Sequence, residues 1–115
     1  MNLQKIIDLA IENGGASYSI VSGDYNPNKG YMVSYVGCET ITSVLTLDIL
    51  VKYIKHYIDY LSTSDVYVGI WLNDGNWYLD ISENVSDKDE AIKVARLRKQ
   101  IAIWDCENNK EIRLD

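Results

Sequence analysis

The chain of 115 residues has no phenylalanine, one proline, one histidine and two cysteines. Aromatic rings are nonetheless plentiful, with nine tyrosines and three tryptophans, and these carry a polar handle that suits surfaces wet at one end better than a dry core. Cys38 and Cys106 stand far apart, without the paired spacing of a zinc site, so reduced structural cysteines are expected, with no metal and no disulfide scaffold. A long apolar run is missing too. The richest stretch, Leu45 to Leu61, is broken by Asp48, Lys52, Lys55, His56 and Asp59 and cannot span a bilayer. Asp8 and Glu12 interrupt the first apolar residues, which therefore do not read as a signal peptide, and a soluble cytoplasmic protein with no membrane partner is expected.

Basic residues are scarce in most of the chain. From Met1 to Asp87 there are four against eleven acidic residues, net −7, whereas Lys88 to Asp115 carries seven against six, net +1. The acidic body argues against direct binding of nucleic acid, which rests on neutralising phosphates. It fits either a soluble surface or a basic protein partner.

What is present is periodic. Asn2 is a good N-cap for a helix to Asn13, with Leu3, Ile6, Ile7 and Ala10 on one stripe and Gly14-Gly15 after it. Ala16 to Ser22 and Tyr31 to Val36 alternate as strands, and the intervening Gly23 to Gly30 predicts the loop of a hairpin. Leu47, Leu50, Val51, Ile54, Ile58 and Leu61 predict a second helix behind Thr46. Val66 to Leu72 and Asn76 to Ser82 flank Asp74-Gly75, residues that accept the positive φ of a tight hairpin turn. Ser86-Asp87-Lys88-Asp89 resembles a capping box opening a third helix to about Gln100, and Ile101 to Trp104 with Glu111 to Leu114 makes a last pair. The expectation is one α+β domain over residues 1–115, of order αββ-αββ-αββ, with a mainly antiparallel sheet and helices on one face.

No arrangement of these residues predicts catalysis by itself. His56 falls on the polar side of its helix, and no serine sits in a nucleophile-elbow context. Neither cysteine has a basic neighbourhood, no glycine-rich phosphate loop opens a helix, and calcium-loop spacing fails after Asp74. No cofactor is implied. Asp80, Glu83 and Asp105 would do acid–base work only if they converged in a cleft. Lys93, Arg96, Arg98 and Lys99 read as complements to a helix dipole. Strand alternation in the Asp74-Gly75 hairpin places Val66, Val68, Ile70, Leu72, Trp77, Leu79 and Ile81 with the core. It leaves Tyr67, Gly69, Trp71, Tyr78, Asp80 and Ser82 on the other face, with Trp104 and either Tyr31 or Tyr35 adding to it. The interface candidates are Tyr67, Trp71, Asp74, Tyr78, Asp80 and Trp104, to be covered by a loop, by a dimer partner or by a binding partner.

The pattern Gly69-x-Trp71, Tyr78-Leu79-Asp80-x-Ser82, Asp87, Ala91 and Gln100-x-Ala102-Ile103-x-Asp105 resembles a family of small proteins carried by phages, prophages and plasmids. The resemblance runs from Gly69 to Ile112 and continues loosely in Gly30-Tyr31-Met32-Val33-Ser34. It implies a counter-defence role, such as an anti-CRISPR inhibitor that binds a Cas effector in a bacterial host, and brings no catalytic motif. Gly69, Gln100 and Asp105 are then candidates for a structural signature, in which Asp80, Gln100 and Asp105 supply hydrogen-bonding side chains at strand ends. Two alternatives stay open: a small hydrolase or nucleotide-sequestering protein using Asp80, Glu83 and Asp105, and a homodimeric phage accessory protein.

Overall fold

A computed structural model describes residues 2–114. Its centre is the hairpin of β4 (Val66–Asn73) and β5 (Asn76–Val85), closed by Asp74 and Gly75 at φ 52° and 81°. Consecutive positive φ values match the right-handed twist of the flanking strands, which is why Asp-Gly closes this ladder. β1 (Gly15–Tyr18) pairs with β4, while β2 (Tyr31–Ser34) and β3 (Thr40–Thr42) share the other side of β5. β6 (Ala102–Asp105) and β7 (Lys110–Arg113) continue outward from β2. Every pairing is antiparallel, and the seven strands form one sheet in the order β1-β4-β5-β2-β6-β7, with β3 beside β5.

All three helices lie on one face, so the α+β architecture is as expected. α1 (Leu3–Asn13) and α2 (Leu47–His56) cover Ala16, Tyr18, Val66, Val68, Ile70, Leu79 and Ile81 with Ile6, Ile7, Ala10, Leu50, Tyr53 and Ile54. α3 (Lys88–Leu97) sets Ala91 and Ala95 on Val33 and Ile103. Each fully buried Leu or Ile of this layer contributes roughly 1.5–3 kcal/mol by leaving water. Among the described residues no helix is long and apolar enough to cross a membrane.

The caps show how local chemistry sets the helix ends. Asn2 accepts from the Lys5 amide and Thr46 from the Ile49 amide, each satisfying a donor that the helix cannot. α3 begins one residue later than the capping-box reading: Asp87, not Ser86, is the N-cap and accepts from the Glu90 amide at 2.9 Å. Its other end is a Schellman motif, with Gln100 N–H on the Ala95 carbonyl and Lys99 N–H on the Arg96 carbonyl. Lys99 occupies the left-handed position, φ 56°, where glycine is usual.

Four expectations need correction. β1 and β2 are not a hairpin, because the β4–β5 ladder lies between them; the 12-residue connection from Ser19 to Gly30 spans two lanes of sheet. β3 was not anticipated and adds a strand to the first unit, although Thr40-Ile41-Thr42 is a β-branched run. α2 stops at His56, and a separate 3-10 turn, Tyr60–Ser62, carries Leu61 into the core; Ile58 and Leu47 are left exposed. Tyr31 and Tyr35 pack on the helix side of the sheet, not on the opposite face.

Replacing Lys99 by glycine removes the cost of a left-handed side-chain-bearing residue and is expected to raise stability by about 0.5–1.5 kcal/mol. Urea denaturation of Lys99→Gly checks this, with an unchanged slope and a higher midpoint expected.

Candidate functional site

The face away from the helices is best followed as rows of side chains across the strands, because antiparallel partners point the same way. The first row is Gly15, Trp71, Tyr78 and Ile41, on β1, β4, β5 and β3. The second is Ser17, Gly69 and Asp80; the third is Tyr67, Ser82 and Ser34. The fourth is Asn84, Met32, Trp104 and Glu111.

The second row holds the chemistry. Asp80 stands directly across from Gly69, and its Oδ1 occupies the space that a Cβ on Gly69 would need. Gly69 is therefore a glycine because the carboxylate lies over it. Ser34 Oγ donates to Asp80 Oδ2 at 3.4 Å and sits 3.2 Å from Ser82 Oγ, and Trp71 supplies a further hydrogen bond to the carboxylate. The half-buried side chain is densely surrounded. Burial, reinforced by the Glu39 charge, pushes its pKa up to about 6, against the opposing hydrogen bonds from Ser34 and Trp71. Glu39 reaches it from the connection where the β2 lane gives way to β3: Tyr35 still bonds the Ile81 carbonyl, and pairing resumes at Thr40 opposite Leu79.

Next to the carboxylate, Trp71 and Tyr78 stack with ring centroids 4.3 Å apart and planes 17° from parallel. Trp71 is 38% exposed and Ile41, beside Tyr78, is 54% exposed, so the first row is open to solvent. The opposite end of the face is covered. The β1–β2 connection passes over it, with Asn84 Nδ2 donating to the Lys29 carbonyl at 2.9 Å and Ser17 N–H donating to Asn26 Oδ1 at 2.7 Å. Tyr67 is buried there with Met32 and Cys106, beside a shallow polar hollow lined by Asp24, Asn26 and Lys29.

The structure thus divides the interface candidates. Trp71, Tyr78 and Asp80 come together; Tyr67 shares their face but lies beneath the connection. Trp104, 45% exposed, belongs to the fourth row, three rows or roughly 20 Å from Trp71 along the strands and three strands across from it. Asp74 is exposed at the tip of the hairpin, beyond the first row.

Asp80, Glu83 and Asp105 do not share a cleft, so the condition set for an acid–base site is not met. Glu83 alternates onto the helix face and pairs with Arg98 at 2.6 Å, whose guanidinium lies 3.9 Å from the Tyr35 ring centre. That pairing also draws Arg98 away from the exposed Lys93 and Arg96. Asp105 closes the β6–β7 turn, accepting from the Glu107 and Asn108 amides and from Asn108 Nδ2 at 2.9 Å. The Asn108 side chain chiefly, with both amides and Lys110, holds its carboxyl below the usual range against the effect of burial. Gln100 Nε2 donates to the Arg98 carbonyl at 3.3 Å, bracing the end of α3. Cys38 and Cys106 are buried free thiols; burial raises both, Cys106 to about 11 with help from Asp105, so neither is a thiolate at neutral pH. Among the described residues no group of three or more His, Cys, Asp or Glu side chains is placed to hold a metal ion.

Sequence reasoning missed Ser34, Glu39 and Ile41 as members of this site. Their placement depends on β2 and β3 sharing one lane of β5, which no local pattern announces. No protein-family model, curated protein or solved structure matches the chain.

Two outcomes are expected. Gly69→Ala forces its methyl group against the Asp80 carboxylate and should cost about 1–3 kcal/mol; in an Asp80→Ala background the cost should fall below about 1 kcal/mol, a coupling that a double-mutant cycle reads directly. The second concerns pH. Because the Asp80 pKa is raised on folding, the native state holds this proton more tightly than the unfolded chain, so ionisation weakens the fold as pH rises from about 4 to about 6. Asp80→Asn lacks that penalty and should gain on the order of 2–3 kcal/mol relative to wild type between those limits, read from denaturation midpoints across the range.

Proposed function

We propose that this chain is a non-enzymatic binding protein of the counter-defence kind carried by phages and other mobile elements, an inhibitor whose first candidate partner is a Cas effector. The single observation carrying the binding reading is the stacked Trp71–Tyr78 pair at the uncovered end of the open sheet face. Stacked rings already held in place lose little rotamer freedom on association, and aromatic anchors dominate the energy of protein interfaces. Ile41 extends the same row. The net charge of −6 favours a basic partner surface, such as the nucleic-acid groove of a defence protein, through faster and more selective encounter. The counter-defence assignment itself comes from the sequence pattern between Gly69 and Asp105.

Size-exclusion chromatography with a panel of purified Cas and other defence effectors tests the reading. Co-elution with one of them is expected, and Trp71→Ala or Tyr78→Ala should weaken it by about 2 kcal/mol or more, the loss typical of a central aromatic anchor. If none co-elutes and light scattering instead gives a dimer that Trp71→Ala dissociates, the aromatic row joins two copies and the inhibitor reading fails.

A further inference from the structure

No ion pair among the described residues includes Asp80. Among the described residues the ion pairs are Lys52 with Asp48, Arg98 with Glu83 and Arg113 with Glu111, and the charge that raises the Asp80 pKa is Glu39, of its own sign. A carboxylate has about four acceptor positions, and Ser34 and Trp71 use two of them. The face carrying it is uncovered at this end, and the adjoining wall is a flat pair of stacked rings. A desolvated carboxylate, a second acid nearby and an aromatic surface beside them are the three elements that recognise a planar cation.

From this geometry we infer that the Asp80–Trp71–Tyr78 cluster is a receptor for an arginine side chain of the partner, its guanidinium directed at the Asp80 carboxylate and Glu39 and its plane lying along the exposed rings. The inference rests on the binding reading above and specifies its chemistry. A guanidinium fits better than an ammonium because it is planar, weakly hydrated and offers several donors in one fork. The Ser34 hydroxyl, itself hydrogen-bonded to Ser82, keeps the carboxylate in place from the side away from the rings. Three titratable groups act electrostatically with Asp80 besides the arginine: Glu39 from the β2–β3 connection, Cys38 beside it and, from the helix side of the sheet, Tyr53 of α2. Burial raises Cys38 and Tyr53, so both stay neutral around neutral pH, and Asp80 is left as the group whose ionisation controls the site near pH 6.

The test uses the whole protein labelled with nitrogen-15 and a blocked Gly-Arg-Gly peptide, compared with the same peptide carrying citrulline, the neutral isostere, or lysine. The arginine peptide should shift the Trp71 indole resonance saturably, at least about fivefold more tightly than citrulline and more tightly than lysine. Lowering the pH from about 7.5 to about 5 should weaken it by about tenfold in wild-type protein, as Asp80 takes up its proton. Asp80→Asn should give the weak affinity at both pH values, with Glu39→Gln as a milder variant at an exposed position. Equal binding of arginine and citrulline, no shift at Trp71, preference for lysine, or affinity indifferent to pH and to Asp80→Asn would each overturn the inference. A partner captured through Trp71 and Tyr78 but unaffected by Asp80→Asn would overturn it while leaving the binding reading intact; loss of both effects would remove both.

Discussion

The β4–β5 ladder holds the other strands of the sheet, and near its middle a glycine faces an aspartate across the strands. Most of what distinguishes the two faces of the protein follows from that pair. On one side Val68, Ile70, Leu79 and Ile81 alternate with it and disappear beneath α1 and α2. On the other, the Asp80 side chain lies over Gly69, keeps Ser34 and Ser82 as neighbours and takes a hydrogen bond from Trp71. Trp71 then presents its ring to Tyr78. One cross-strand pair therefore engages a hydroxyl from a further strand, β2, and leaves the indole where solvent reaches it.

The sequence carried the fold class in signals of short range. Asp74-Gly75 between alternating runs, Asn2 and Thr46 ahead of apolar stripes, and the acidic opening of α3 each depend only on neighbours within a turn or a strand. The strand order was not legible, because it depends on pairings between strands far apart in the chain and on a connection long enough to cross two lanes. The correct split of the hairpin aromatics came from period-two alternation, which needs no knowledge of topology. Which groups join Asp80 from outside the hairpin does need it: Ser34, Glu39 and Ile41 are brought in by the break between β2 and β3. Asp105 and Gln100 illustrate a different limit. Both read as chemically versatile in sequence, and both are occupied by hydrogen bonds at the ends of their elements.

The two ends of the open face have been handled in opposite ways. At the Tyr67 end, the connection from Ser19 to Gly30 lies across the sheet and is tied down by Asn84 and Asn26. There the Asn84 side chain satisfies the backbone of the passing chain and Asn26 that of β1, and the tyrosine beneath loses its solvent contact. At the Trp71 end nothing crosses. The same strands thus carry a covered half, which stabilises the sheet, and a bare half whose apolar row remains available.

The bare half also keeps a group that the fold does not require. Register between β4 and β5 is already set by the two-residue turn and by strict alternation of the core residues, since a slip of one residue would turn Leu79 and Ile81 outward. An apolar pair in place of Gly69 and Asp80 would preserve that alternation without desolvating a carboxylate, and such replacements of buried charge are often neutral or stabilising. Asp80 instead brings a cost that grows as it ionises, and Glu39 adds to it. Within the chain, its returns are a 3.4 Å hydrogen bond from Ser34 and one from Trp71. Protonation offsets the remainder below about pH 6, and above it the proposed arginine would do so, lying beside the exposed aromatic stack.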